Sequence, residues 1–270
     1  MNRVTSKDGT SIAYERTGSG PAVILVGGGL DDGSENAPLA LELAGHFTVY
    51  NYAQRGRGDS GDTLPYALER EIEDLEALVA EAGGSAHLYG VSSGGALVLE
   101  AASAGIPADK LAVYDVPYSS ADDASHQWQE YVDQLEVALA EGRRGDALEL
   151  FMRLAGSSEE DISSARNSPM WPGLEAIAHT LAYDAACLGD GRPPTARLAG
   201  ITRPTLVATS GAGLDSHMAG LPVGFFDEAA DTLAASIPHA ERQTIGGQTH
   251  VADPKALAPV LERFLRSAAG

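Results

Sequence analysis

The chain has 270 residues, 44% of them hydrophobic and 21% charged, a balance that fits a folded globular protein and not a disordered or collagen-like chain. Its 18 Lys and Arg stand against 38 Asp and Glu, and the net charge of −20 repels phosphate backbones, which argues against nucleic acid as a partner. A single cysteine, Cys187, excludes an internal disulfide framework and any cysteine-based zinc site. It is expected to be a small buried apolar residue.

Taken in chain order, Arg3–Ser6 and Ser11–Arg16 flank Asp8-Gly9, a hairpin turn signal. Ala22–Val26 is a continuous apolar run, as in a strand buried on both faces, and it ends in Gly27-Gly28-Gly29. Phe47–Tyr52 reads as the next strand and leads into the turn-rich Arg55-Gly56-Arg57-Gly58-Asp59-Ser60-Gly61, expected to be a structural turn. Pro65 is placed to open a helix. Leu68, Ile72, Leu75 and Val79 then give it one apolar face, and Gly83-Gly84 ends it. A short strand at Ala86–Tyr89 precedes a helix through Ala96–Ala102, and Leu111–Tyr114 is a further strand. Strands alternating with helices imply a parallel sheet covered on both faces.

The rhythm changes after Pro117. From 118 to 200 the pattern is helical, with Trp128, Tyr131, Leu135 and Leu139 on one face and Ala147, Leu150, Phe151 and Leu154 on another. Strand signals return at Pro204–Thr209 and Arg242–Ile245, and a last helix runs through Leu257, Val260, Leu261, Phe264 and Leu265. The expected organisation is therefore an α/β core made of 1–117 and 201–270, interrupted by a helical insertion over 118–200. An insertion at this point could cover the sheet edge where ligands bind. No stretch is long and apolar enough to span a membrane, and Met1–Gly9 lacks a signal peptide's apolar core, so a cytoplasmic protein is expected.

The motif with the most chemistry is Gly90-Val91-Ser92-Ser93-Gly94, between a strand and a helix. In that context G-x-S-x-G is a nucleophile elbow, a tight turn that lifts the central serine out of the sheet edge. Ser92 is flanked two positions away by glycine on both sides, whereas Ser93 is not, so Ser92 is the expected nucleophile. A serine hydroxyl needs a base. Of seven histidines, His87 lies inside a strand and His126 and His179 in the insertion, while His250 sits in the glycine-flanked loop Gly246–Val251 after the last strand. A carboxylate must orient the base. Asp115, at the end of Leu111–Tyr114, and Asp215, beyond Leu206–Thr209, both satisfy the order Ser…Asp…His. The developing oxyanion needs preorganised donors. The expected pair is the backbone N–H of Ser93 and that of Gly29. No cofactor or metal is expected: the glycines after Val26 miss the dinucleotide pattern at Asp32, there is no Gly-Lys pair, and no H-E-x-x-H occurs.

Over nearly its whole length the chain resembles the α/β-hydrolase superfamily, through Ile24–Gly29, Arg55–Ser60, Gly90–Gly94, Pro204–Val207 and Gly247–His250. The resemblance implies a mostly parallel eight-stranded sheet with helices on both faces and a helical cap between strands six and seven, where 118–200 falls. A closer likeness is to small bacterial hydrolases with a Val-Gly-Gly oxyanion loop. Two departures stand out: the superfamily's usual His-Gly is Gly27-Gly28 here, and Asp215 arrives about two residues late for the usual acid loop. Relatives in the closer group tend to carry the acid in a Tyr-Glu-Pro-Pro context at the end of strand six, matched here by Tyr114-Asp115-Val116-Pro117, so the resemblance favours Asp115, with Asp215 as alternative. It implies a serine esterase or lactonase acting on a small to medium apolar molecule. Thioester, C–C or perhydrolysis chemistry on the same triad, or a non-catalytic ligand-binding relative, are the alternatives. The expected partner is a small-molecule substrate, and a homodimer is compatible with the sequence.

Overall fold

Eight strands, β1 (Asn2–Thr5), β2 (Ser11–Gly18), β3 (Ala22–Val26), β4 (Thr48–Tyr52), β5 (Ala86–Val91), β6 (Ala108–Tyr114), β7 (Thr205–Ser210) and β8 (Ala240–Ile245), make one sheet in the computed structural model. It describes residues 1–213 and 215–267, the Ser216 side chain excepted. The strand order is β1-β2-β4-β3-β5-β6-β7-β8. β2 runs antiparallel to both β1 and β4, and every other pairing is parallel. The β1–β2 turn forms as its residues require: the Thr10 N–H donates to the Asp8 carboxylate at 2.9 Å, and Gly9 takes a φ of 90°.

Each inner strand feeds two cores through its two-residue period. Ile24 and Val26 of β3 join the cluster under helices Leu68–Glu81, Ser93–Ser103 and Phe225–Ser236. Val23 and Leu25 join the opposite cluster, under helices Ala37–Leu43 and Pro254–Arg266. Burial on both faces explains why β3 reads as an unbroken apolar run. The parallel strands end together, so the loops after β3, β5, β6, β7 and β8 meet at one edge of the sheet.

Two helices escape the sequence reading. Ala37–Leu43 has only seven residues, and the apolar positions of Phe225–Ser236 are mostly small alanines, so neither leaves a strong periodic stripe. The helix expected to open at Pro65 begins instead at Leu68, because Ala67 is extended (φ −153°, ψ 151°). Ahead of it the Tyr66 ring stacks on Tyr183, with centroids 3.8 Å apart and planes 2° apart, and this holds the segment against the helical insert rather than within a helix.

Between β6 and β7 the regular structure is helical from Ala124 to Leu198. Tyr131, Leu135, Ala147, Leu148 and Trp171 build a core belonging to the insert. Helix Leu181–Leu188 serves both bodies: Leu181 and Ala185 join the insert's core, while Cys187 and Leu188 pack into the sheet's. Among the described residues no helix is long and apolar enough to cross a membrane.

Candidate active site

The site begins with a steric problem solved by glycine. Ser92 joins β5 to helix Ser93–Ser103 with φ 55° and ψ −129°, a strained conformation for a non-glycine residue. A β-carbon on Gly90 would lie 2.4 Å from the Gly94 carbonyl oxygen, and one on Gly94 would lie 2.2 Å from that of Gly27. Neither position accepts a side chain, so the sequence G-x-S-x-G and the turn require each other. The Ser92 N–H donates to the Tyr114 carbonyl at 2.9 Å, which anchors the elbow to β6. Ser93 opens the helix, where free N–H groups and the helix dipole favour negative charge.

Backbone strain marks the rest of the site as well. Among the described residues the non-glycine positive φ angles belong to Leu30, Ser92 and Asp115, at 64°, 55° and 47°. They follow β3, β5 and β6, three neighbouring strands of the sheet, at their C-terminal ends. Such conformations cost about 1–3 kcal/mol each and persist where the surroundings over-determine them.

Asp115 is fully buried, and its two carboxylate oxygens are divided between two tasks. Oδ1 accepts from the Ser210 N–H at 2.9 Å, and Oδ2 lies 3.2 Å from Nδ1 of His250. The structure thus brings Asp115 to the imidazole. Asp215 lies half-buried on the loop after β7, where its carbonyl accepts from the Met218 N–H. The His250 ring is stacked on Phe226, centroids 4.9 Å apart and planes 12° apart, at the start of helix Phe225–Ser236. Its loop is fastened from both sides: the Tyr114 hydroxyl donates to the Thr249 carbonyl at 2.5 Å, and the Gly211 and Ala212 N–H groups donate to that of Gln248. Burial, with Asp115 adding, pushes the Tyr114 hydroxyl well above its usual pKa, so it remains a donor.

The loop after β3 lies against the elbow. A β-carbon on Gly28 would come within 3.0 Å of the Ser92 β-carbon. One on Gly29 would face Phe151 of the insert at 3.4 Å and the Asp184 carboxylate at 3.5 Å. The Gly28 carbonyl accepts from Arg57 Nη1 at 2.7 Å. Arg57 is buried and also donates to Gln54, Thr180 and, at 2.7 Å, Asp184. The other oxygen of Asp184 accepts from the Ser93 hydroxyl at 2.7 Å. Glu71 is buried as well, and its carboxyl is pushed up to about 8, chiefly by desolvation. Arg57, Asp184, Phe226 and Tyr114 were not foreseen as site residues. An aspartate inside the apolar run Leu181–Leu188 is the signal that could have exposed one of them, since a buried charge demands a partner.

The remaining expectations sort by packing. His87 is buried in β5 edge-on to Phe47, and burial holds its pKa down. His179 lies 3.2 Å from Asp62, and His126 pairs with Glu130 on an exposed helix face. Trp128 donates to the Gly189 carbonyl and packs on Tyr131, Trp171 is buried within the insert, and Tyr183 donates to Asp62. Cys187 is buried in the sheet core, and its thiol is held well above its usual pKa by desolvation. Arg55, like Arg57, is buried in ion pairs, here with Asp8 and Asp74. Among the described residues no group of three or more His, Cys, Asp or Glu converges on a metal position.

The model of the alpha/beta hydrolase family matches residues 22–260. The chain belongs to that family. A solved alpha/beta hydrolase from Sphaerobacter thermophilus is 48% identical, with a TM-score of 0.86 over 98% of this chain and 100% of that one. A thermophilic esterase from Thermogutta terrifontis (22% identity, TM-score 0.68, 98% and 97% covered) shares the fold. So does an enol-lactonase from Burkholderia xenovorans (20% identity, TM-score 0.68, 98% and 100% covered). Two curated relatives, 33% and 34% identical, are matched over little more than a third of their length: 35% and 38%. In this alpha/beta hydrolase the mostly parallel eight-stranded sheet with helices on both faces is as the sequence led one to expect.

Proposed function

We propose that this alpha/beta hydrolase is a serine hydrolase that cleaves a carboxylic ester or lactone of a small to medium apolar molecule. The observation that carries the reading is the His250–Asp115 contact of 3.2 Å, formed at the same sheet edge as the strained Ser92 elbow. In this reading Asp115 fixes the tautomer in which Nδ1 carries the proton and Nε2 is free to accept one. His250 takes the Ser92 proton as the serine oxygen attacks the carbonyl carbon. The N–H groups of Gly29 and Ser93 hold the oxyanion of the tetrahedral intermediate. When the carbonyl re-forms, the C–O bond to the leaving group breaks, and His250 returns its proton to the departing alkoxide. A water, deprotonated by His250, then attacks the acyl-enzyme and releases the acid and free Ser92.

Support for an apolar acyl group comes from Phe151, which lies against Gly29, and from Leu30, which packs on the insert's apolar cluster. Esterase and enol-lactonase activities among proteins of the same fold support the ester or lactone bond as the scissile one. The test is a panel of p-nitrophenyl esters of increasing acyl length together with γ- and δ-lactones, on wild type and Ser92→Ala. Turnover that falls at least 10³-fold in the variant is expected. Substantial turnover surviving in Ser92→Ala, or none on any ester or lactone in wild type, would remove the proposal.

A further inference from the structure

The geometry points to the buried Arg57–Asp184 pair as a positioning device for the oxyanion hole, one that makes the helical insert part of the catalytic machinery. The inference rests on the serine hydrolase reading above and adds two residues to it. Neither touches substrate; both act through the groups that would.

The first arm runs through a peptide plane. In a trans peptide the carbonyl and the following N–H point in opposite directions. The Gly28 carbonyl and the Gly29 N–H share one such unit, and it is trans. Arg57 Nη1 holds the Gly28 carbonyl at 2.7 Å, and the Asp31 N–H reaches the same oxygen at 3.3 Å. Fixing that carbonyl fixes the Gly29 N–H on the opposite side. A Gly-Gly unit has no side chain to settle its orientation, so the peptide needs an outside hold. The next residue, Leu30, is already at φ 64°. A rotated peptide would withdraw the donor while leaving the loop in place.

The second arm runs through Ser93. Its hydroxyl donates to Asp184 Oδ1 at 2.7 Å, and Asp184 Oδ2 accepts from Arg57 Nη2 at 2.7 Å. Both residues that supply oxyanion N–H groups are therefore tied to one ion pair. Asp184 comes from the insert, on helix Leu181–Leu188, and Thr180, just before that helix, takes the Arg57 Nε at 3.1 Å. Arg57 is buried and spends Nε, Nη1 and Nη2 in three directions, a fork that lysine cannot reproduce.

The variants that test this are Arg57→Lys, Asp184→Ala, Asp184→Asn and Ser93→Ala. Each is assayed for kcat and KM on p-nitrophenyl butyrate, for the Ki of butylboronic acid, whose serine adduct mimics the tetrahedral intermediate, and for folding by thermal melting. Arg57→Lys and Asp184→Ala are expected to lose about 10²-fold in kcat, with KM within about threefold of wild type and boronate affinity falling in step with kcat. Asp184→Asn can still accept from Arg57 and stay bonded to Ser93, so it is expected to recover to within about tenfold of wild type. Ser93→Ala keeps its N–H and loses only the tether, with an expected kcat loss of about 5- to 10-fold. Folded Arg57→Lys and Asp184→Ala enzymes with kcat and boronate affinity near wild type would overturn the inference. So would a loss of kcat that follows the folded fraction and leaves boronate affinity untouched. Where Arg57→Lys does not fold, Ser93→Ala decides: unchanged kcat and boronate affinity there count against it. Wild type that turns over while Ser92→Ala does not, combined with unaffected Arg57 and Asp184 variants, removes this inference alone. Inactive wild type removes the hydrolase reading and this inference together.

Discussion

Asp115→Asn exchanges one carboxylate oxygen for an amide, and the structure dictates which one. The Ser210 N–H, a donor 2.9 Å from Oδ1, requires an acceptor, so the amide oxygen must stay there. The amide NH2 is then left facing His250 Nδ1 at the 3.2 Å contact. Two donors cannot face each other, so the imidazole gives up its Nδ1 proton and carries it on Nε2. In that tautomer Nε2 has no lone pair to accept the Ser92 proton. The expected loss is about 10³- to 10⁴-fold in kcat, or roughly 4–5.5 kcal/mol at about 1.4 kcal/mol per decade. Because both hydrogen bonds are kept, that from Ser210 unchanged and that with His250 in reversed sense, the melting temperature should move by no more than a few degrees. Asp115→Ala is different: it strands the Ser210 N–H in a buried site and should cost about 1–3 kcal/mol of stability besides. Steady-state hydrolysis of p-nitrophenyl butyrate by Asp115→Asn, with Asp215→Asn beside it, is the assay. Asp115→Asn within tenfold of wild type would refute the reasoning, decisively so if Asp215→Asn were the inactive one.

Gly28→Ala brings a methyl to 3.0 Å from the Ser92 β-carbon, so kcat is expected to fall at least tenfold while the protein stays folded, read by kinetics beside circular dichroism. Phe226→Leu keeps the core filled but removes the ring stacked on His250; aromatic pairs are worth about 0.5–1.5 kcal/mol, so kcat should drop about 2- to 10-fold at constant KM. Glu71 carries a carboxyl pushed from 4.5 up to about 8, so the folded protein binds a proton that the unfolded chain has released across that window. Its contribution to stability therefore falls as pH rises from 4.5 to 8 and levels off above. Glu71→Gln should melt with wild type near pH 5 and be more stable at pH 9 by on the order of 2–4 kcal/mol, about 5–10 °C in thermal melts. Equal melting temperatures at pH 9 would contradict the burial argument.

How much of this was legible depends on the range of the physics. The elbow is local: Gly90 and Gly94 are needed within four residues of each other, so the pattern declares itself in the string. The sheet was legible because β3 is buried on both faces and shows it as an apolar run. Chain order and strand ends led to His250 and to two acids, Asp115 and Asp215, and the family resemblance favoured Asp115. The Arg57–Asp184 pair lies beyond such reading, since its partners are 127 residues apart and nothing local in either segment names the other. Phe226 was hidden for a different reason: its helix is built mostly on alanines, so the aromatic that seats the imidazole stands outside any recognisable stripe. Ala67 shows the reverse error, where a proline suited to a helix start was outweighed by the tertiary stacking of Tyr66 on Tyr183.

The central claim is that Ser92 is an activated nucleophile. A fluorophosphonate probe, read by intact mass and then by peptide mapping on wild type, Ser92→Ala and Asp115→Asn, tests it most directly. A single adduct on Ser92, absent from Ser92→Ala and formed at least 10²-fold more slowly by Asp115→Asn, is the expected result. An adduct on another residue, or no adduct on folded wild type, would contradict it.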